Sequence, residues 1–246
     1  ADRLVNLTQS AFAQLGDGHG LAEGGSAMAA GFAVISGNDF RRNGEPYINQ
    51  LMTAVNGGPA SPQADGWVTY GLPVVAGLMY RDSIELDEIK HPIHIDSIRL
   101  QAASGGAGRL RGAPATEVIY GPRVDPMTVI IPSDCQINPA RGVRGGLDGA
   151  PAAQWKVSAN GDETKLPNVV QFELQAGEFV RGFEAGGGGY GSPLEREPER
   201  VLKDVERRWE TIERARDIYG VVLSGSAEND DLAIDVAATE AARANA

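Results

Sequence analysis

The side chains best suited to meet a small molecule lie between Asn56 and Gly77, in a run rich in Gly and Pro. Asn56, Asp65, Trp67 and Tyr70 stand out there. A carboxylate at Asp65 could act as a base or accept a hydrogen bond. Trp67 and Tyr70 could wall a pocket for a flat ring. A loop this long in a compact domain is usually functional or disordered, and its aromatic residues argue against disorder. A loop packed on its own aromatics is the plainer alternative and carries equal weight.

Four other groups could do chemistry, and each has a plainer reading that is favoured. In Ser-Gly-Gly-Ala-Gly-Arg-Leu-Arg-Gly (104 to 112), Arg109 and Arg111 are two apart. On a strand they would share a face and could grip a carboxylate or phosphate. The plainer reading is ion pairing with the abundant acids or with a partner. The Ala-Gly-Gly-Gly-Gly-Tyr-Gly run from Ala185 could cradle an anion with successive N–H groups. It lacks the Gly-Lys-Ser/Thr ending of a phosphate loop, so a sharp, closely packed chain reversal is preferred. His91, His94 and Asp96 invite a metal, but Pro92 forbids a regular helix and the chain has only 3 histidines. No metal ligand is assigned. Ser133-Asp134-Cys135 has no Gly-x-Ser-x-Gly elbow and no histidine nearby, so a small buried cysteine is the reading taken. The sequence assigns no catalytic residue.

The elements that must position these groups follow from periodicity. Residues 3–15 read as a helix with an apolar stripe at Leu4, Leu7, Phe12 and Leu15, ended by Gly16-Asp17-Gly18. Residues 32–35 and 47–55 read as strands joined through the Asn43-Gly44 turn. Residues 83–100 read as strand-like throughout. Further strands are expected at 116–120, 127–131 and 179–183, with a hairpin of 155–158 against 169–174 around Asn160-Gly161. Pro198 opens a helix with Val201, Leu202, Val205 and Trp209 as its apolar stripe, and Thr211 caps a second that Gly220 stops. A tail helix is expected near 232–243. The fold class is α+β: a β-rich core with glycine-rich loops, flanked by an N-terminal helix and C-terminal helices.

Composition narrows the function classes. The chain has 246 residues, 32 of them Gly, and a net charge of −11. That charge argues against broad affinity for nucleic acid or an anionic membrane surface. A single cysteine excludes an intrachain disulfide, and the apolar runs are too short to span a bilayer. A cytoplasmic location is expected. The first residue is Ala, so a fragment or a split subunit is expected. Residues 224–246, opening with the acidic stretch Glu228 to Asp231, are expected to form a linker and tail beyond a unit at 1–223.

Several stretches resemble the hydantoinase B/oxoprolinase family. They are the Ser-Gly-Gly-Ala-Gly-Arg-Leu-Arg-Gly segment, Ala-Asp-Gly-Trp-Val-Thr-Tyr-Gly (64 to 71), and the glycine turn 142–149 after Ser133-Asp134. The most specific is Gly-Gly-Gly-Gly-Tyr-Gly-Ser-Pro-Leu-Glu-Arg followed by Glu-Arg-Ala-Arg-Asp-Ile-Tyr-Gly-Val-Val-Leu. Together they run from about Gly57 to Leu223.

The resemblance implies the C-terminal portion of a B-type subunit, with 1–223 as that portion. It implies a hetero-oligomer with the N-terminal portion of the same subunit and with an ATP-binding A-type subunit. ATP and Mg would sit on that partner, and a divalent metal, Zn or Mn, in the N-terminal portion, whose Asn-Asp-Pro and Gly-Gly-Thr-His type motif is not found here. No cofactor is expected within this chain. The implied activity is ATP-dependent hydrolysis of a cyclic amide such as a hydantoin, 5-oxoproline or a lactam. The alternatives are an acetone- or acetophenone-type ketone carboxylase and a non-catalytic scaffold that docks the ATP-binding subunit.

Overall fold

The computed structural model describes residues 1–245. After helix α1 (Asp2–Phe12), strands β1 (Val34–Asp39) and β2 (Glu45–Gln50) form a hairpin whose turn uses Asn43 and Gly44 at positive φ. Helix α2 (Ile84–Lys90) precedes β3 (Ile93–Leu100), β4 (Thr116–Pro122) and β5 (Met127–Pro132). Then come β6 (Ala153–Val157), β7 (Glu163–Lys165), β8 (Val169–Leu174) and β9 (Phe179–Phe183). Helices α3 (Pro198–Glu206) and α4 (Ile212–Asp217), the small hairpin β10 (Leu223–Ser224) with β11 (Ala233–Ile234), and α5 (Val236–Ala244) complete the chain. This is the α+β arrangement with flanking helices that the patterning implied.

Two antiparallel sheets enclose the main core. One has the order β2-β1-β5-β8 and the other β3-β4-β9-β6-β7. Ile35, Met127, Val129, Ile131 and Leu174 of the first meet Ile93, Ile95, Val118, Tyr120 and Val180 of the second in one buried cluster. Alternation puts these residues inward and their neighbours outward, as two packed sheets require.

Several expected elements differ, beginning with the strand expected at 47–55, which ends at Gln50. Residues 83–100 are not one strand: Ser83 caps α2, accepting from Leu86 N, and Glu85 and Asp87 lie in the first turn. Those cap and charge signals outweigh the β-branched content. The hairpin around Asn160-Gly161 is β6 with β7, while β8 crosses to the other sheet and pairs with β5. The free edge of β6 is taken by β9. At the C-terminal end, Pro198 is the first residue of α3, and the Thr211 side chain accepts from Arg214 N. Residues 223–234 form a hairpin, and α5 returns to the body through Arg243, whose Nη2 donates to Arg196 O at 2.6 Å.

Glu184 directly follows β9 and is wholly buried, and no cation among the described residues contributes to its electrostatics. Its two oxygens accept from Ala29 N (2.9 Å) and Gly31 N (3.1 Å). Burial pushes its pKa up to about 7, against the two hydrogen bonds that lower it. The folded protein therefore holds a proton that the unfolded chain releases above its ordinary carboxylate range. Stability from this group is full below about pH 4.5, the unfolded value, and is lost as pH rises to about 7. Denaturant titrations of the native protein and Glu184→Gln between those limits should show a pH slope in the native protein that the variant lacks. Equal slopes would refute the assignment.

Candidate functional site

A pocket of about 350 Å³ lies between α1 and the segment 59–76. Val5, Asn6 and Gln9 of α1 form one side, and Asp65, Trp67 and Tyr70 form the other. Three of the four residues singled out in the 56–70 loop thus line one cavity. Asn56 does not. It is buried behind the wall, accepting from Ala27 N at 3.0 Å and donating to Gly71 O at 3.1 Å. The bond to Gly71 ties the two ends of the loop together, and the bond from Ala27 ties them to the segment before β1.

The walls are mostly apolar, from Val5, Leu21, Ala22, Pro59, Pro73 and the aromatic rings. The amide of Asn6 is spent on Gly24, donating to its carbonyl at 2.8 Å and accepting from its N–H at 3.0 Å. Tyr70 is only 7% exposed and forms no side-chain hydrogen bond among the described residues. Burial, helped by Asp2, pushes its pKa up to about 12, so the hydroxyl keeps its proton and can donate.

Among the described residues lining the pocket Asp65 alone is charged, and its charge is already matched. Arg196 grips it bidentately, Nη1 to Oδ1 at 2.8 Å and Nη2 to Oδ2 at 3.0 Å. Arg200 adds a bond to Oδ2 at 2.8 Å, and Arg111 N donates to Oδ1 at 2.9 Å. Burial raises the carboxyl's pKa, but the Arg196 bonds and the charges of Arg196 and Arg111 outweigh it and hold the group below its usual range. A carboxylate so held is a weak base, and its acceptor capacity is used by the protein.

Arg109 and Arg111 do not converge. Arg109 points outward to Asp17 (2.8 Å) and Glu195 (3.7 Å). Arg111 is buried, 3.0 Å from Asp204, with its guanidinium carbon 4.7 Å from the centre of the Trp209 ring. Leu110 between them pairs with Tyr190 in both directions, yet the two guanidinium groups take different partners. His94 sits 3.1 Å from Glu88, and a bulge displaces Asp96 from the β3–β4 register. No group of three or more His, Cys, Asp or Glu that could hold a metal stands together among the described residues. Cys135 is buried at φ +60°, within 3.5 Å of Ser26 Oγ and of Arg3 Nη2, and desolvation raises its pKa. It is therefore a thiol, not a thiolate.

The glycine run after Glu184 has a definite architecture. Gly186 and Gly189 donate to Ala150 O and Leu147 O, Gly187 and Tyr190 to Ala113 O and Leu110 O, and Gly188 to Glu23 O. The direction of the N–H groups therefore repeats every third residue, as in a three-fold extended helix, rather than every second as in a sheet. A Cβ at any of Gly186 to Gly189 would lie within 3.0 Å of backbone from a neighbouring segment: Ser104 to Ala107 for Gly186 and Gly189, Gly58 for Gly187 and Arg141 for Gly188. These four residues have backbone on every side and no room for a side chain. Their N–H groups all reach carbonyl oxygens of the protein, so the run holds the pocket's framework and does not cradle an anion.

Two residues on the pocket, Asn6 and Gln9, escaped the sequence reading, as did Arg196 and Asp204 behind it. The signal available for α1 was its polar face. Leu4, Leu7, Phe12 and Leu15 point outward (55–70% exposed), while Asn6 and Ala13 are buried. The apolar stripe expected to pack on this chain faces away from it.

Two packed antiparallel sheets, a glycine bundle and a cap of short helices define the architecture. The sequence model of the Hydantoinase B/oxoprolinase family matches residues 1–193, and the chain belongs to that family. It is 33% identical over 215 residues to the caprolactamase subunit beta of Pseudomonas jessenii, covering 85% of this chain and 36% of that protein. The crystal structure of the ATP-dependent caprolactamase from the same organism superposes with a TM-score of 0.72 at 28% identity, over 90% of this chain and 38% of that one. The nucleotide-free structure of acetone carboxylase shares the fold, with a TM-score of 0.73 at 20% identity, over 90% of this chain and 33% of that one. The chain thus spans about a third of the length of these relatives. No helix among the described residues is long and apolar enough to cross a membrane.

Proposed function

We propose that this chain is the glycine-rich C-terminal part of a B-type subunit in an ATP-dependent enzyme that opens a cyclic amide. The observation that carries the reading is the pocket between α1 and residues 59–76, taken with 33% identity to a caprolactamase subunit. Its apolar walls fit a small ring, and the Tyr70 hydroxyl fits a ring carbonyl. Its one charge is neutralised by the protein, so an uncharged ring is favoured over an anionic one. A neutral lactam or hydantoin suits it better than 5-oxoproline, which carries a carboxylate.

ATP and Mg belong on an A-type partner subunit in this reading, and a divalent metal, Zn or Mn, on the N-terminal portion of the B-type subunit. The outward apolar face of α1 supports such partners: Leu4, Leu7, Phe12 and Leu15 form a stripe of the kind that helices bury. We place the assembly in the cytoplasm.

The test is an assay of the native assembly with ε-caprolactam, hydantoin and 5-oxoproline, and with acetone plus bicarbonate. ATP-dependent opening of a neutral ring is expected. ATP hydrolysis that requires bicarbonate and a ketone would instead support a carboxylase. Tyr70→Phe should raise KM about tenfold, the loss of one hydrogen bond to substrate, with little change in kcat. An unchanged KM would remove Tyr70 from the site.

A further inference from the structure

We propose that Arg196 and Arg200 are positioning residues for the pocket: they hold Asp65, and through it the Trp67–Tyr70 wall, in the geometry that receives the ring. The inference rests on the pocket being the substrate site.

Arg196 lies between the glycine bundle and α3 and is 1% exposed. Besides Asp65, it donates to Asp204 Oδ2 at 2.7 Å and to Arg109 O at 3.1 Å. Its own carbonyl is held by Arg243 of α5. Asp204 in turn meets Arg111, whose N–H also reaches Asp65. The helical cap and the glycine bundle therefore close a ring on a single side chain of the pocket loop, hydrogen-bonded from Arg196 to Asp65 and Asp204 and completed by the ion-pair contact of Asp204 with Arg111. Such bonds fix direction as well as distance, because a bidentate guanidinium allows one arrangement.

The rest of the wall has weaker anchors. Between Asp65 and Tyr70 the backbone is tied by Gly66 N to Arg111 O (2.8 Å) and by Gly58 N to Trp67 O (2.9 Å), and Tyr70 pairs with Asn56 in an antiparallel bridge. Trp67 is 59% exposed and has no side-chain hydrogen bond among the described residues. Release of Asp65 would loosen the wall around Trp67, while Tyr70, bridged to Asn56, the sheets and the glycine bundle stay in place. Small misplacements of a binding wall reduce affinity for a rigid ring steeply.

The experiment uses the native assembly with Arg200→Met, Arg200→Lys and Asp65→Asn. Arg200 is 40% exposed on its side chain and makes one bond to Asp65, so its variants should fold. Amide hydrogen exchange by mass spectrometry follows residues 59–76, and KM and kcat are measured with ε-caprolactam. We expect exchange in 59–76 about tenfold faster in Arg200→Met and Asp65→Asn, unchanged exchange in both sheets, and KM up about tenfold with kcat within about threefold. Arg200→Lys should restore most of the native behaviour, since one charged donor suffices there. Combining Arg200→Met with Asp65→Asn should add little to Asp65→Asn alone, because the bond that Arg200 makes is to that carboxylate. Unchanged exchange in 59–76 would overturn the clamp. Faster exchange with unchanged KM would overturn its positioning role. Faster exchange alongside unchanged KM in Trp67→Ala and Tyr70→Phe would locate the failure in the pocket reading.

Discussion

Gly187→Ala should prevent the chain from reaching its native fold. The added Cβ would lie within 3.0 Å of the carbonyls of Gly57 and Gly58. Neither can retreat. Gly58 O already accepts from Ala113 N, Gly57 O accepts from Gly25 N, and Gly187 itself donates to Ala113 O. Overpacking against side chains costs about 1–3 kcal/mol because rotamers can shift. Backbone held by its own hydrogen bonds has no rotamer to change, so the cost should exceed about 3 kcal/mol, a large part of a domain's stability. Gly161→Ala is the control. It sits at φ +92° in the β6–β7 turn with nothing within 4 Å, so only local backbone strain of about 1 kcal/mol applies. Circular dichroism and denaturant unfolding of both variants check this. Comparable midpoints would show that the bundle tolerates a side chain and that its packing is misjudged.

Arg196→Met should destabilise the protein by about 3–5 kcal/mol, the usual cost of removing one partner from a buried ion pair. Methionine matches much of the volume, so the effect is chiefly electrostatic. Asp204 has a side chain only 7% exposed and Asp65 one 20% exposed, and both would lose their guanidinium. Arg200 would still reach Asp65, and Arg111 would still lie beside Asp204. These remaining contacts keep the loss from being larger. Adding Asp204→Asn to Arg196→Met should recover part of the stability, because a neutral amide is cheaper to leave unpaired than a carboxylate. Urea unfolding of the two variants decides it. If the second substitution adds further loss, the pair is not the unit described.

Both predictions concern residues whose importance differed in legibility. The glycine run was visible at once, and its lack of a phosphate-loop ending argued for close packing. The three-fold direction of its N–H groups was not visible, because it depends on five segments distant in sequence meeting around it. Arg196 closes the most specific of the family-like segments, but nothing in its sequence neighbours marked it as buried or as a partner of Asp65. An arginine between a glycine run and a helix start ordinarily lies in water, and only the approach of Asp65, 131 residues away in sequence, buries it.

What the sequence determined by itself was local. Pro198, Thr211 and Gly220 set the limits of α3 and α4, because caps and fixed φ act within a few residues. Alternation fixed most strands, and specific segments pointed to the family. The aromatic pair Trp67 and Tyr70 marked the pocket loop for the same reason, since a long loop keeps bulky rings only if something packs on them.

Tertiary structure decided the rest. It placed β8 in the opposite sheet from β6, since strand pairing depends on which edges remain free. It turned α1 with its apolar stripe outward, because Asn6 finds both bonds it needs at Gly24. It separated Arg109, paired with Asp17 and Glu195, from Arg111, buried against Asp204. And it converted Asp65 from a candidate base into a clamped carboxylate, because the charge of an acid is shaped by what folds against it and not by its neighbours in the chain.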